Sequence, residues 1–340
     1  MRRATTEAAV LRAATPGKSL SSLLSLTSSS TASRASLSTF SLSVKKLFSY
    51  FSAAVGKAAA VFASNRNTKS RNRTSPFRNG LSRQFPGPAA SDCGDIDFKR
   101  EDKDLQWFEP ALSGSDLCGL MDTVDAFSAA LTEAGIPFFM HGGTLLGSWR
   151  HHGLVPWDDD VDFGVPMSLR PIVYRMLKNL KPEFVLDVKQ KKRWKLYSAE
   201  TAHPIRRASW KYPFLDISFY NQNSSHVWDH DTGAYERYVY PRNWVFPLSP
   251  RPFNGRVLMA PRQPERFLRR TYDLKQCQTG LYNHRKERKS KTKERKSVAC
   301  KKLHDVLPFV TRRSVGGGCN ETLMQNGRVL SYYFFDNIEC

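Results

Sequence analysis

The chain has 340 residues, enough for one large domain or two ordinary ones with a substantial core. Its net charge of +21 points first to nucleic acid or an anionic membrane. The excess is local, however: residues 1–90 carry 14 Lys/Arg against the single acid Glu7, and the run from His284 to Lys302 carries 10 against Glu287 and Glu294. These two segments account for the whole net charge. The rest of the chain is electrically balanced, so no specific nucleic-acid partner is expected.

Residues 1–100 are rich in Ser, Ala and Arg and read as a low-complexity, largely disordered region; an acid-poor start of this kind also resembles an organellar transit peptide. Its one apolar island, LFSYFSAAVGKAAAVFA at 47–63, is near the minimum length for a membrane span and has Lys57 inside it. A weak signal anchor, a small-residue helix and an unstructured stretch are all compatible with it.

From residue 105 the pattern becomes globular. Leu117, Leu120, Met121, Val124, Phe127 and Leu131 form one helical stripe, with Ser115 as candidate cap and Gly135 as stop. IPFFM reads as a buried strand running into Gly142 and Gly143, residues 144–151 as a short helix, and VDFGV as a second strand. A second stripe, Leu169, Ile172, Val173, Met176, Leu177 and Leu180, predicts another helix, and FVLDV, WKLYSA, FLDISFY and RVLMA predict further strands. The fold class expected is α/β (α+β): a mixed sheet flanked by helices.

The six cysteines, at 93, 118, 277, 300, 319 and 340, have no zinc-site spacing, and four of them lie in the last 64 residues, where disulfides would add stability. Sequons start at Asn72, Asn223 and Asn320; with the even cysteine count they lean toward a secretory lumen. The basic run 284–302 reads as a solvated loop, with polyanion contact as the alternative.

The stretch HGGTLLGSWRHHGLVPWDDDVDFGVP, residues 141–166, places four aspartates within five positions. If 157–163 is extended, Asp158, Asp160 and Asp162 share one face and Asp159 points the other way. Three carboxylates on one face repel unless a cation lies between them, and a hard divalent ion fits; a solvated acidic turn, or Asp158 as a helix cap, is the plainer alternative. Gly142, Gly143 and Thr144 end a strand and open a helix, so their amides could face an anion. Asp216 lies between Leu215 and Ile217 in an apolar strand, where a charge needs a partner. Arg150, His151 and Lys195 are candidates for phosphate contact or ordinary surface residues, and Trp149 and Trp157 for stacking or packing.

Strand, Gly-Gly, helix, Asp-Val-Asp and a third Asp on a later strand describe a nucleotidyltransferase site. The stretch 142–166 resembles the signature of the LicD family. The resemblance continues at FLDISFY and at FPLSPRPFNGRVLMAPRQPERFLRRTYD and covers about residues 115–275. It implies a nucleotidyltransferase-type catalytic domain at 105–275 that transfers a phospho-alditol or phosphocholine group from a CDP-linked donor to a glycan or glycoprotein hydroxyl. It further implies Mg2+ or Mn2+ held by Asp160, Asp162 and Asp216, with Asp158 as a candidate fourth ligand, and a phosphate side formed by Gly142, Gly143, Thr144, Arg150 and Lys195. Localisation in the Golgi lumen as a single-pass type II membrane protein belongs to the same expectation, and a non-catalytic scaffold of the glycosylation machinery is the alternative. The family pattern closes near residue 275, so the basic, Cys-containing extension 276–340 is additional.

Overall fold

The computed structural model describes residues 81–83, 105–231, 238–336 and 340. The apolar stretch 47–63 and the Asn72 sequon lie outside these residues. Among the described residues no helix is long and apolar enough to cross a membrane.

The first helical stripe forms α1 (Gly114–Glu133). Its cap is Ser113 rather than Ser115: Ser113 has extended backbone, and its Oγ accepts the Asp116 amide at 3.2 Å. Ser115 is already inside the first turn, where the backbone is helical and a cap cannot sit. Leu120, Val124, Phe127 and Leu131 are fully buried, and Phe127 packs against Phe138 and Phe163 at 5.3 and 5.1 Å. Gly135, at φ +65, ends the element in a conformation that a side chain would strain.

β1 (Leu81–Arg83) precedes this helix, and β2 (Phe139–Met140), α2 (Gly142–His151), β3 (Val161–Pro166) and α3 (Arg170–Lys178) follow it. Then come β4 (Phe184–Asp187), β5 (Arg193–Ser198), a short pair β6 (His203–Pro204) and β7 (Lys211–Tyr212), and β8 (Leu215–Gln222). With β9 (His226–Asp229) and β10 (Val239–Pro241) they build a seven-stranded sheet in the order β10-β9-β8-β3-β2, with β5 also pairing β8 and β4 pairing β5. β3 and β8 run parallel and the other pairs antiparallel, so the sheet is mixed, as the sequence implied.

Alternation divides this sheet into two chemical faces. Val161, Phe163 and Val165 of β3 are fully buried, and Phe163 meets the α1 side chains. Asp162 projects from the opposite face. The parallel register pairs Asp162 with Asp216, and the antiparallel register pairs Lys195 with Asp216. Acids and cation therefore emerge on one face because the hydrophobic faces of three strands are claimed by the core.

The extension contributes to the same core. After α4 (Arg242–Val245), the hairpin β11 (Ser249–Phe253) and β12 (Arg256–Ala260), and α5 (Pro264–Leu268), the chain forms β13 (Gln276–Gln278), which pairs with β16 (Ser297–Ala299). Between them β14 (Tyr282–Asn283) pairs with β15 (Arg288–Lys289). The basic run read as a solvated loop is thus a set of short hairpins, held by Glu294 accepting from both Arg288 guanidinium nitrogens at 2.9 Å. β17 (Phe309–Val315), β18 (Gly318–Gln325) and β19 (Arg328–Asp336) form a meander, with β1 on the outer side of β19. Cys277, Cys300, Leu303, Leu307 and Phe309 belong to the hydrophobic cluster that contains Phe163. Disulfides join Cys277 to Cys300 and Cys319 to Cys340.

Candidate metal centre

The centre is built where β2 turns into α2. Gly142 has φ +51, and a Cβ there would stand 3.1 Å from Asp162 Oδ2. A Cβ on Gly143 would stand 2.3 Å from Asp158 Oδ2, which no side chain can do. The two glycines are therefore required for two carboxylates to approach the backbone at the start of α2. His141 precedes them with extended backbone and no side-chain cap, and the dipole of the helix that starts beside the acids favours their negative charge. Thr144, read as part of the phosphate side, has a different job: its buried Oγ1 accepts the Asp162 amide at 2.6 Å and ties α2 to β3.

The strand itself begins at Val161; the turn before it lies at residues 156–157, and residues 158–160 link the two outside the ladder. Pro156 and Trp157 occupy that turn, and Asp158 N donates to Val155 O at 2.9 Å, which prevents the pleat from starting earlier. Strand pairing therefore fixes Asp162, while Asp158 and Asp160 come before the ladder. Even so, Asp160 is brought to the same point: single carboxylate oxygens of Asp160, Asp162 and Asp216 lie within 4.8 Å of one another. Asp159 is turned away, and its Oδ2 accepts the backbone amides of His284 and Arg285 at 3.0 and 3.3 Å.

Burial and mutual repulsion set the electrostatics. The Asp160 carboxyl is pushed well above the usual range by burial and then by Asp162, Asp158 and Asp216. Asp158 is pushed up to about 7 by burial, Asp159 and Asp162. Burial raises Asp216 as well, although the Lys195 ammonium at 2.7 Å pulls in the other direction. Arg193, two residues before Lys195 on β5, has its pKa raised despite burial by Asp162, Asp216, Asp229 and Asp160. Four carboxylates thus face two basic side chains, and a divalent cation would supply the missing charge. The donors are hard oxygens with no thiolate, which suits Mg2+ or Mn2+.

Lys195 lies beside the acids: its Nζ contacts Asp216 and sits 3.7 Å from the centroid of the Phe214 ring. Arg150 is not. Its buried Nη2 donates to the carbonyls of Asp273, Leu274 and Gln276 at 3.1, 3.1 and 2.8 Å, so it fastens the start of the extension and has no reach to a phosphate at the acids. His151 bonds the Pro308 carbonyl through Nδ1 at 2.6 Å. Trp149 lies under the Arg312 guanidinium, 3.8 Å from the ring centroid, and Trp157 packs edge-on against Phe108 while its Nε1 donates to Gln278 O at 2.9 Å.

Three participants were not identified from the sequence. Arg193 carried a usable signal, since RWK places it on the same strand face as Lys195. Tyr272 is half-buried beside Gly142, and desolvation with Asp158 and Asp162 raises its hydroxyl far above normal. His284, whose Nδ1 is 3.4 Å from Asp160 Oδ2, gave no local signal, because it arrives from 124 residues further along the chain.

Part of the chain is similar to known proteins. Residues 135–263 match the family described as LicD/FKTN/FKRP, nucleotidyltransferase domain. Human ribitol 5-phosphate transferase FKRP is 28% identical over 153 residues, 45% of this chain and 30% of that protein. Mouse ribitol-5-phosphate transferase FKTN is 25% identical over 119 residues, 33% of this chain and 24% of that protein. The lipopolysaccharide cholinephosphotransferase LicD of Haemophilus influenzae is 43% identical over 42 residues, 12% of this chain and 16% of that protein. The matched region spans less than a third of the length of each of these relatives.

Proposed function

This chain belongs to the LicD family, and from that premise we propose that it is a divalent-cation-dependent transferase moving a phospho-alditol or phosphocholine group from a CDP-linked donor to a glycan hydroxyl. The observation that carries the reading is the convergence of Asp160, just ahead of β3, with Asp162 and Asp216 of two parallel strands onto one point beside a Gly-Gly helix start. Asp160, Asp162 and Asp216 would hold Mg2+ or Mn2+, which when bound neutralises the donor's phosphate charge.

The chain's own residues account for the remaining tasks. The acceptor oxygen forms a bond to the phosphorus bearing the alditol or choline, the phosphoanhydride bond breaks, CMP leaves, and the hydroxyl proton must go to a base. Asp216 is the residue assigned to that hydroxyl: Lys195 at 2.7 Å orients its carboxylate, and burial raises its basicity. Lys195 and Arg193 supply positive charge on the phosphate side. The acceptor as a glycoprotein and a secretory-lumen setting belong to the same proposal; two disulfides support an oxidising compartment.

The test is CMP release by the purified chain with Mg2+ or Mn2+ and CDP-ribitol, CDP-glycerol or CDP-choline in turn. Release by one donor, abolished in the Asp160→Ala, Asp162→Ala double variant with its circular dichroism unchanged, is the expected result. Equal release by the double variant would refute it. Absence of both release and cation-dependent stabilisation in the wild type would favour the non-catalytic scaffold reading.

A further inference from the structure

The family match ends at residue 263, yet the acidic centre is completed from beyond it. Segment 273–285 is fastened to the catalytic face at successive points. Arg150 holds the carbonyls of Asp273, Leu274 and Gln276, Trp157 Nε1 holds Gln278 O, and Asp159 Oδ2 receives the amides of His284 and Arg285. The Cys277–Cys300 disulfide closes the hairpin that carries the segment. The imidazole is then set edge-on against Phe214 and Tyr282, with ring centroids at 5.6 and 5.0 Å. In that pose Nδ1 is buried, makes no hydrogen bond among the described residues, and stands 3.4 Å from Asp160 Oδ2.

We propose that His284 is a positioning residue: in its Nδ1–H form it pairs with Asp160 Oδ2 across 3.4 Å and fixes the direction in which Asp160 presents its carboxylate to the cation, so the extension sets cation affinity. This rests on reading the three carboxylates as a cation site. Asp160 needs such a partner more than its neighbours do. Asp216 is oriented by Lys195 and Asp162 by its place in β3, whereas Asp160 lies ahead of the strand, and His284 is the one basic side chain paired with it within 4 Å among the described residues. Partners that orient a metal-binding carboxylate typically control affinity by roughly 10–100-fold.

The experiment is Mn2+ titration of the full chain by calorimetry, with the melting temperature of the cation-free protein measured alongside. Three variants are compared with wild type. His284→Leu removes the donor, His284→Asn places an amide donor where Nδ1 was, and His284→Gln places it where Nε2 was. Expected are Mn2+ affinities weakened about 10-fold or more in the Leu and Gln variants and within about 3-fold of wild type in the Asn variant, at equal cation-free stability. Leu and wild type binding alike, or Asn as weak as Leu while equally stable, overturns the proposal. So does loss of a second bound Mn2+ in the Leu variant, since that would make His284 a ligand in its own right. A wild-type chain that binds no Mn2+ removes the cation-site reading itself, a result distinct from unchanged affinity across the variants.

Discussion

Glu321 of β18 holds the extension's meander to the end of α2 and to β11, and its removal makes a quantitative test. Its side chain is 4% exposed and accepts from Arg251 Nη2 at 3.0 and 2.7 Å, from Arg312 Nε at 2.9 Å and from His152 Nε2 at 3.0 Å. His152 is the residue that ends α2, Arg251 lies on β11, and Arg312 also donates to the carbonyl of Trp149. Glu321→Ala leaves a guanidinium 4% exposed and another 15% exposed without their carboxylate. Breaking a buried ion pair from one side costs about 3–5 kcal/mol. For a cooperative unit of this size that corresponds to a fall in melting temperature of roughly 6–20 °C. Differential scanning calorimetry of Glu321→Ala against wild type measures it. A fall of less than about 2 °C would show that the network is solvated or rearranges freely, and would refute the view that it anchors the meander.

The same network predicts a pH response. Burial alone would raise the Glu321 pKa, but Arg251, the His152 hydrogen bond and Arg312 hold it far below the usual carboxylate range. Its unfolded value is about 4.3, so the stability it contributes is present above that pH and is lost progressively below it; Glu321→Gln should flatten the melting temperature between about pH 5 and pH 2 relative to wild type. Gly143→Ala should separate stability from activity. Alanine is about 1 kcal/mol better in a helix, but the new Cβ meets Asp158 Oδ2 at 2.3 Å, and displacement of a site carboxylate costs on the order of 10–100-fold in CMP release. A variant as active as wild type would show that Asp158 is free to move. Asp158→Asn removes one of the crowded charges, so the cation-free protein should melt higher by about 2–4 °C, and a lower melting temperature would contradict the repulsion argument. Lys195→Met should destabilise the cation-free chain by about 3–5 kcal/mol, with Mn2+ restoring part of the loss; no rescue by Mn2+ would count against Asp216 as a ligand.

Legibility in the sequence followed the physics of each residue. The helices and the main strands were readable because burial on one side imposes a period, as in Leu120, Val124, Phe127 and Leu131, or in Val161, Phe163 and Val165. Asp216 was readable because a charge in an apolar strand needs a reason. Ser113 was missed as the α1 cap because Ser115 is two positions away and equally suitable in type. The strand starts at Val161, later than alternation from residue 157 assumed, because a turn at 156–157, closed by the Asp158–Val155 hydrogen bond, precedes it; Asp160 still joins Asp162, and Asp159 still points away. Arg150 looked like a phosphate ligand only while its carbonyl partners, more than 120 residues away, were out of view. His284 and Tyr272 share that limitation, since no local pattern records a contact made across the fold.

The crowding of aspartates resolves once each acid is matched with what offsets its charge. Asp158 sits against the start of α2 where Gly143 leaves room, Asp159 takes the amides of His284 and Arg285, and Asp216 has Lys195. Asp160 and Asp162 are left with weaker compensation: an imidazole at 3.4 Å for the first and the field of Arg193 for the second. A fold would gain by replacing either acid if stability alone mattered, because both raise the free energy of their neighbours. Two incompletely offset carboxylates pointing at a third are what a cation requires. That arrangement also explains why the extension packs here. By supplying amides to Asp159 and an imidazole to Asp160 it lowers the cost of the cluster.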